Sequence, residues 1–174
     1  MKILFKNFIF LSLLFYSSLL YAETGIAFLD MDIIYNKSSA GTSIFKELEK
    51  INKKNISKFK KNEDLLKKEE QQIAAQKNIL SKEEFEKKVL FFKEKVNKYQ
   101  TERNKTINEL KKKRMKAIKD LSLSVNKILA EYSDEKKISI IVPKKNIIIG
   151  KNELDITKDI LTLVDKKIKK INLN

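Results

Sequence analysis

Cysteine and histidine are both absent from the 174 residues of the sequence. Their absence excludes disulfides, thiol nucleophiles, imidazole bases and the commonest zinc sites. The neighbouring carboxylates Asp30 and Asp32 are explained by helix capping and solvated charge, and no loop has the spacing of a calcium site. We therefore expect no catalytic residue, no metal and no cofactor.

Helix breakers and acidic residues are also scarce. One proline and three glycines leave room for long uninterrupted helices. The 23 acidic residues are outnumbered by 38 basic ones, which gives a formal net charge of +15. A surplus of this size favours anionic partners such as nucleic acid, lipid or lipopolysaccharide head groups, or acidic polypeptides. The charge alone does not choose among them.

The first residues have the layout of a secretory signal peptide. Lys2 and Lys6 precede an apolar run over residues 8–20, and Ala22 offers a small residue at the expected cleavage point. We expect residues 1–22 to be the signal peptide, cleaved after Ala22, and the protein to be periplasmic. The alternative of a retained membrane anchor is disfavoured, because the run is shorter than the ~20 residues that a spanning helix needs.

Export limits the kinds of anionic partner that the protein can meet. Without residues 1–22 the chain keeps 36 basic and 23 acidic residues, a charge of +13. An exported protein does not meet the chromosome, so nucleic acid is not expected as the physiological partner. A histone-like nucleic-acid binder remains the alternative if the protein stays uncleaved in the cytoplasm. The lack of thiols suits an oxidising compartment.

Residues 42–135 are typical of a helical hairpin. Their apolar residues form a thin heptad stripe, which can bury one partner helix but cannot lie inside a globular core. Ser81 and Glu84 have the spacing of a capping box, so the tip of the hairpin is expected at about residues 78–81. One tight turn makes the two helices antiparallel. The stripe consists of Phe45, Phe59, Leu66, Ile73 and Leu80, then Phe85, Val89, Phe92, Val96 and Tyr99.

The flanking residues, 23–41 and 136–174, are strand-rich and apolar. Strands are predicted over residues 26–30, 138–142 and 147–149, the last two as a β-hairpin. A final helix is predicted to run to Ile171. The expected fold is α+β, with a small strand-rich body that carries the helical hairpin as an arm. A body of roughly 55 residues is marginally stable alone, so self-association is expected.

This order of elements resembles the Skp/OmpH family of periplasmic chaperones. The resemblance rests on the segments at residues 26–31 and 138–142, and above all on Asp155-Ile156-Thr157, which looks like the family's opening of its last helix. It covers the whole chain after the signal peptide. Two departures, Pro143 and Ile149-Gly150, concern the predicted β-hairpin and put its strand length and the packing of a trimer in doubt.

The resemblance implies a homotrimer whose strands form a central barrel, with three helical arms around a cavity. It implies an ATP-independent holdase that binds unfolded outer-membrane proteins and prevents their aggregation. A lipopolysaccharide-binding or structural envelope protein is the alternative, with lipopolysaccharide or anionic lipid as the partner.

Two sets of residues are candidates for these roles. On the arm, lysines and off-stripe apolar side chains are expected to contact clients: Lys87, Lys88, Lys93, Leu90 and Phe91. In the body, apolar strand residues are expected in or near the shared oligomer core: Ile26, Phe28, Ile140, Val142 and Ile147. A lysine-rich helix face is often only a solvated surface. On these arms, however, the acids are too few to pair with all the lysines, so a net positive field remains.

The first testable prediction is the homotrimer. The apolar, strand-rich segments at the two flanks are too small to bury their own surface, so three copies should share them. Sedimentation equilibrium of the protein without its signal peptide at micromolar concentration should give three chain masses. A stable monomer under those conditions would end this expectation.

Overall fold

The computed structural model describes residues 25–173, so the predicted signal peptide lies outside the described residues. The elements follow in the order β1 (Gly25–Leu29), α1 (Met31–Lys37), α2 (Ser39–Ala75), α3 (Lys82–Lys136), β2 (Ile138–Pro143) and α4 (Thr157–Lys167). Two single 3-10 turns, Lys144–Asn146 and Asn152–Leu154, lie between β2 and α4. The predicted α+β fold with a long antiparallel helical hairpin is confirmed.

The hairpin is made by α2 and α3. Their 37 and 55 residues correspond to about 56 and 83 Å at 1.5 Å per residue. Ser81 accepts the backbone N–H of Glu84 at 3.3 Å, and the Glu84 carboxylate accepts the N–H of Ser81 at 3.2 Å. This is the predicted capping box, and it fixes the start of α3 directly after the tip. The greater length of α3 lets it run past the start of α2 and alongside the body.

The first helix is interrupted at Ser38. Asp30 caps α1 by accepting the N–H groups of Asp32 and Ile33, as its position before a helix suggested. The buried Ser38 then caps α2 by accepting the N–H of Gly41 at 3.1 Å. A β-carbon on Gly41 would lie 1.9 Å from the carbonyl oxygen of Tyr35, so only glycine fits where the start of α2 lies against α1. α2 therefore begins at residue 39, three residues before the predicted start of the hairpin at residue 42.

β1 and β2 pair in parallel, with Ile26 opposite Ile140 and Phe28 opposite Val142. The predicted β-hairpin over residues 138–149 is therefore wrong. Pro143 cannot donate to a ladder, and the chain turns away after it in a 3-10 turn. Residues 147–149 do not form a strand.

The hydrophobic core lies at the body end of the molecule. Its buried residues come from both long helices as well as from β1 and α4: Ala27, Leu29, Ile44, Leu48, Ala117, Leu121, Val125, Ile128, Ile160 and Val164. Within the described residues, α2 contributes no buried residue after Leu48, and α3 contributes none before Ala117. The remainder of the hairpin forms an arm without a core of its own.

A polar network closes the body. The Asp155 carboxylate accepts the N–H and hydroxyl of Thr157 at 3.0 and 2.5 Å, and the ammonium of Lys144 at 2.6 Å. The Thr157 hydroxyl also accepts the backbone N–H of Asp30 at 2.9 Å. These four residues, the closing network, connect the start of α4 to the turn after β2 and to the end of β1. The Asp-Ile-Thr segment thus joins parts of the chain that lie far apart in sequence.

The final helix is shorter than predicted. α4 ends at Lys167, Ile168 has an extended backbone, and residues 168–173 are not helical. A continued helix would separate Ile171 and Leu173 by about 200° around its axis. Because both side chains pack against the core, a non-helical backbone satisfies them better. The prediction of a helix to Ile171 is wrong for this reason.

The closing network predicts a pH-dependent stability. Burial of the Asp155 carboxyl favours its neutral form, but hydrogen bonds from Lys144 and Thr157 outweigh this and hold its pKa below the ordinary value of 3.8. A lowered pKa stabilises the fold above pH 3.8, and this stabilisation is lost as the pH falls below that value. Asp155→Asn should therefore lower the free energy of unfolding by about 2 kcal/mol at pH 7. Denaturant titration at pH 7 and pH 3 measures this.

Asp134→Asn is the matched control, because Asp134 is an exposed carboxylate in the last turn of α3. It should change the free energy of unfolding by no more than about 0.5 kcal/mol. The deficit of Asp155→Asn should shrink at pH 3, because the carboxyl of Asp155 is then largely protonated in the unfolded chain and its charge favours the folded state less. An equal deficit at both pH values would mean that the charge of Asp155 does not close the body.

Candidate binding surfaces of the arm and the body

One row of contacts between α2 and α3 in the arm is apolar and aromatic. The rings of Phe59 and Tyr99 meet edge to face, with centroids 6.4 Å apart, and the guanidinium of Arg103 lies 5.7 Å from the Phe59 ring. The Tyr99 hydroxyl donates to Glu63 at 2.6 Å. Desolvation and this carboxylate raise the pKa of Tyr99 above its ordinary value of 10.0, so the hydroxyl keeps its proton and this hydrogen bond to a higher pH. The predicted stripe residues are half-buried along this row.

The second row of the arm is polar. Glu69 and Lys95 form an ion pair between the helices at 2.7 Å, and the Lys88 ammonium donates to Gln76 at 2.8 Å near the tip. Glu69, Lys95 and Gln76 are only half-buried or exposed, so each pair adds little net stability. The arm is therefore held mainly by its one apolar row.

The candidate client-binding lysines all lie on the exposed surface of α3. Lys87 pairs with Glu83 one turn earlier at 3.0 Å, and Lys88 reaches Gln76. Lys93 makes no hydrogen bond or ion pair within residues 25–173. Their positive charges are thus only partly balanced, and they face solvent within about three and a half turns of the tip. Their role in binding stays a prediction.

Leu90 and Phe91 are both exposed, whereas their neighbours Val89 and Phe92 are half-buried in the apolar row. The sequence spacing predicted this division. The Lys95 ammonium lies 4.6 Å from the centre of the Phe91 ring, which keeps one face of the ring beside a cation. An aromatic surface next to unbalanced lysines offers both apolar and charged contacts to a flexible chain.

The five candidate oligomer residues of the body fall into two groups. Ile26 and Ile140 project outward and are half exposed, on opposite partners of the β1–β2 ladder. Phe28 is buried within the chain itself, and Val142 and Ile147 are half-buried. β2 pairs with β1 along one edge, and no described strand covers its other edge. Beside this free edge lies a groove of about 400 Å³ between β2 and α3.

Sequence reasoning missed the most exposed apolar residues of the body. Ile148 and Ile149 are 98% and 91% exposed in the segment between β2 and α4. The sequence predicts a paired strand over residues 147–149, so their exposure is not expected from it. The available signal is the run of three isoleucines between Asn146 and Gly150, because such a run without a partner strand requires another surface to cover it.

Two further features were sought among the described residues, a metal site and a membrane-spanning helix. Within residues 25–173 no group of three or more acidic side chains could hold a metal ion. Over the same residues, no helix combines the length and apolar character that crossing a bilayer requires. The closing network and the Tyr132–Asp159 hydrogen bond at 2.8 Å hold elements of the body together.

Comparison with known proteins finds one matching family and a solved structure with a similar fold. A family model described as outer membrane protein (OmpH-like) matches residues 25–164. A solved structure of a candidate outer membrane chaperone (OmpH-like) from Caulobacter crescentus CB15 superposes with a TM-score of 0.79 and 17% sequence identity. The match covers 85% of this chain and 88% of that chain, and at this identity it concerns the fold. No curated protein matches the chain.

The two rows of the arm predict the effect of removing one apolar contact. Leu66→Ala removes a half-buried side chain of the apolar row, so it should loosen the arm and leave the body intact. We expect a local loss of about 2 kcal/mol, at the low end of large-to-Ala changes, because the row is only partly buried. Phe59→Ala should behave in the same way. Hydrogen exchange resolved by peptide measures the loss.

Leu65→Ala is the matched control, because Leu65 is the adjacent leucine and is 64% exposed. Exchange in the arm should be nearly unchanged in that variant. If Leu66→Ala instead raises exchange in β1 and β2 or dissociates an oligomer, the arm and the body are not separate units of stability.

Proposed function

Because this chain belongs to the OmpH-like family of outer membrane proteins, we propose that it is a periplasmic holdase chaperone. It binds unfolded outer-membrane proteins and prevents their aggregation on the way to the outer membrane. It uses no ATP, metal or cofactor and catalyses no reaction. The fold that it shares with the candidate outer membrane chaperone from Caulobacter crescentus supports this proposal.

The observation that carries the proposal is the surface of the arm. Exposed apolar side chains are scattered along it among many lysines: Ile56, Leu65, Ile79, Leu90 and Phe91. A single large apolar patch would select one partner. Scattered small contacts instead hold many sequences weakly, which suits a protein that must accept clients of unrelated sequence.

Charge and apolar contact have different tasks in this mechanism. Unfolded outer-membrane proteins are often acidic, so the positive field of the arms attracts them from solution. This field acts over about 8 Å at physiological salt and mainly raises the association rate. Once a client is close, many weak contacts with residues such as Phe91 and Leu90 slow its release. The chain can therefore capture and release clients without consuming a nucleotide.

A homotrimer completes the proposal. The free edge of β2 and the exposed Ile148 and Ile149 are apolar or hydrogen-bonding surfaces that a single copy leaves open to water. An uncovered strand edge readily pairs with another chain. Three copies joined at their bodies would cover these surfaces and direct three arms around one client.

The same lysine-rich surface gives a second candidate function, binding of lipopolysaccharide or anionic lipid in a structural role. The two functions differ in one measurement. A chaperone suppresses the aggregation of a denatured outer-membrane protein at stoichiometric concentration. A structural envelope protein binds lipid A micelles without suppressing aggregation.

The test of the mechanism separates capture from retention. Changing Lys87, Lys88 and Lys93 together to Glu should slow association with a urea-denatured acidic barrel protein about tenfold at low salt. It should also flatten the salt dependence of association and change release less. Changing Leu90 and Phe91 to Ser should speed release and leave association nearly unchanged. Stopped-flow fluorescence at two salt concentrations measures both rates.

A matched charge reversal on the body is the control. Lys127, Lys158 and Lys166 are exposed, and their ammonium groups make no hydrogen bond or ion pair within residues 25–173. Their triple reversal to Glu changes the net charge by the same amount. If both triple variants slow association equally, the net charge acts and the arm has no special role. If neither does, the positive surface serves only solubility.

A further inference from the structure

The non-helical segment that follows α4, residues 168–173, packs on the body and contributes to its core. Ile168 and Ile171 pack against the core cluster, and Leu173 is only 6% exposed. The lysines and the asparagine between them face solvent. The apolar side chains therefore fix the segment to the protein while its polar side chains are hydrated. We call residues 168–173 the strap.

The strap is anchored to α3 at both ends. Where it begins, the ammonium of Lys167 pairs with Glu131 of α3. Where Leu173 lies, the Lys113 ammonium donates to its carbonyl oxygen at 3.0 Å. Glu131 and Lys113 are 18 residues apart on α3 (131 − 113), about 27 Å along the helix. The strap therefore runs along α3 from the body toward the tip of the arm.

The far end of the strap lies where the core of the protein ends. Ala117 is the last buried residue of α3 toward the tip, and Leu48 is the last one of α2. Directly beyond them, a groove of about 430 Å³ opens between the helices, lined by Phe45, Asn52, Ile107 and neighbours. Asn52 and Ile107 are exposed, so the contact between the two helices is poor there. Leu173 thus packs at the root of the arm, between the packed core and this loosely packed groove.

We propose that the strap is a splint that fixes the root of the arm to the body and limits how far the arm bends. Two helices joined by one thin apolar row bend easily where a third element is missing. The strap supplies that third element over the last turns before the groove, through Ile171 and Leu173. With the strap docked, the arm leaves the body at one angle. With the strap released, the root becomes a two-helix contact and the arm moves more widely.

The strap lies beyond residue 164, where the match to the family model ends. Its splinting action follows from the contacts above and does not depend on the function of the arm. Its effect on clients rests on the proposed chaperone function, since a mobile arm would hold a client less firmly.

Hydrogen exchange of the full exported protein tests the splint. Leu173→Ala should raise exchange about tenfold in peptides from the arm root, residues 41–51 and 107–121, because local opening there becomes easier. Exchange in β1 and β2, and in the arm between residues 59 and 99, should stay unchanged. Lys113→Met is a second variant, which removes the hydrogen bond to the Leu173 carbonyl and keeps the leucine. It should raise exchange in the same peptides by a smaller factor.

Lys170→Ala and Asn172→Ala are the matched controls, because both side chains belong to the strap and face solvent. Neither should alter exchange at the root. The proposal is overturned if the root exchanges as in the wild type in both Leu173→Ala and Lys113→Met. It is also overturned if Leu173→Ala raises exchange equally in all peptides, since Leu173 would then be an ordinary core residue.

A distance measurement checks the movement itself. The sequence has no cysteine, so spin labels placed through Leu65→Cys on the arm and Lys158→Cys on the body report only the intended pair when labelled chain is diluted with unlabelled chain. The distance distribution should broaden in Leu173→Ala and stay narrow in Asn172→Ala. An equally narrow distribution in both variants overturns the proposal.

Client release separates this proposal from the chaperone function. If the wild type holds a denatured outer-membrane protein, Leu173→Ala should release it severalfold faster. If the wild type holds no client, the proposed function fails, and the exchange and distance results still decide the splint. Unchanged release together with raised root exchange would keep the splint and remove its effect on clients.

Discussion

The parallel pairing of β1 with β2 is the constraint on which the rest of the structure depends. Residues 30–137 lie between the two strands, so the long excursion must return to its starting point before the ladder can form. An antiparallel helical hairpin does this without a flexible loop, since α3 runs back along α2 and, being 18 residues longer, continues past it to deliver β2 beside β1. The closing network at Asp155 and Thr157 then fastens α4 across the end of β1. Arm length, strand direction and the place of the last helix are thus linked.

Burial decreases along the hairpin from the body to the tip, so the two ends of the hairpin are held by different contacts. Near the body, α2 and α3 pack against β1 and α4, and residues such as Ile44 and Leu121 lose all contact with water. Toward the tip each helix has only the other as a neighbour, with one apolar and one polar row between them. Stability measured at one end should therefore say little about the other. A rigid base with a marginally held arm suits the binding of partners that have no fixed shape.

The sequence predicted those features that depend on local pattern. The heptad stripe predicted the residues between the two helices from Phe59 to Tyr99, and the capping box predicted the tip. The position of each phenylalanine relative to the stripe predicted that Phe91 is exposed and Phe92 half-buried. It did not predict the direction of strand pairing, because an apolar run such as residues 138–142 is equally suited to a hairpin or to a distant parallel partner. Nor did it predict the end of α4, since Ile168 and Ile171 fit a helical face and only the burial of Leu173 distinguishes the non-helical segment. The sequence predicts which lysines lie on the arm. It does not predict their partners on the other helix, such as Glu69 for Lys95, because those depend on how the two helices are aligned.

Covering the exposed apolar residues of the body would change the free energy more than covering a single exposed residue of the arm. Burying one isoleucine side chain contributes about 1.5–3 kcal/mol, so covering Ile148 and Ile149 in every copy strongly favours a permanent partner. The free edge of β2 lies in the same body and adds unpaired backbone groups that only an extended strand can satisfy. A client bound there would have to lose both the apolar burial and the strand pairing on dissociation, which makes its release slow. On the arm, single residues such as Leu65 and Phe91 offer small separate gains that can be made and broken independently. The proposed assembly at the body and the proposed transient binding along the arm are therefore compatible in one chain, because they would use surfaces of different strength.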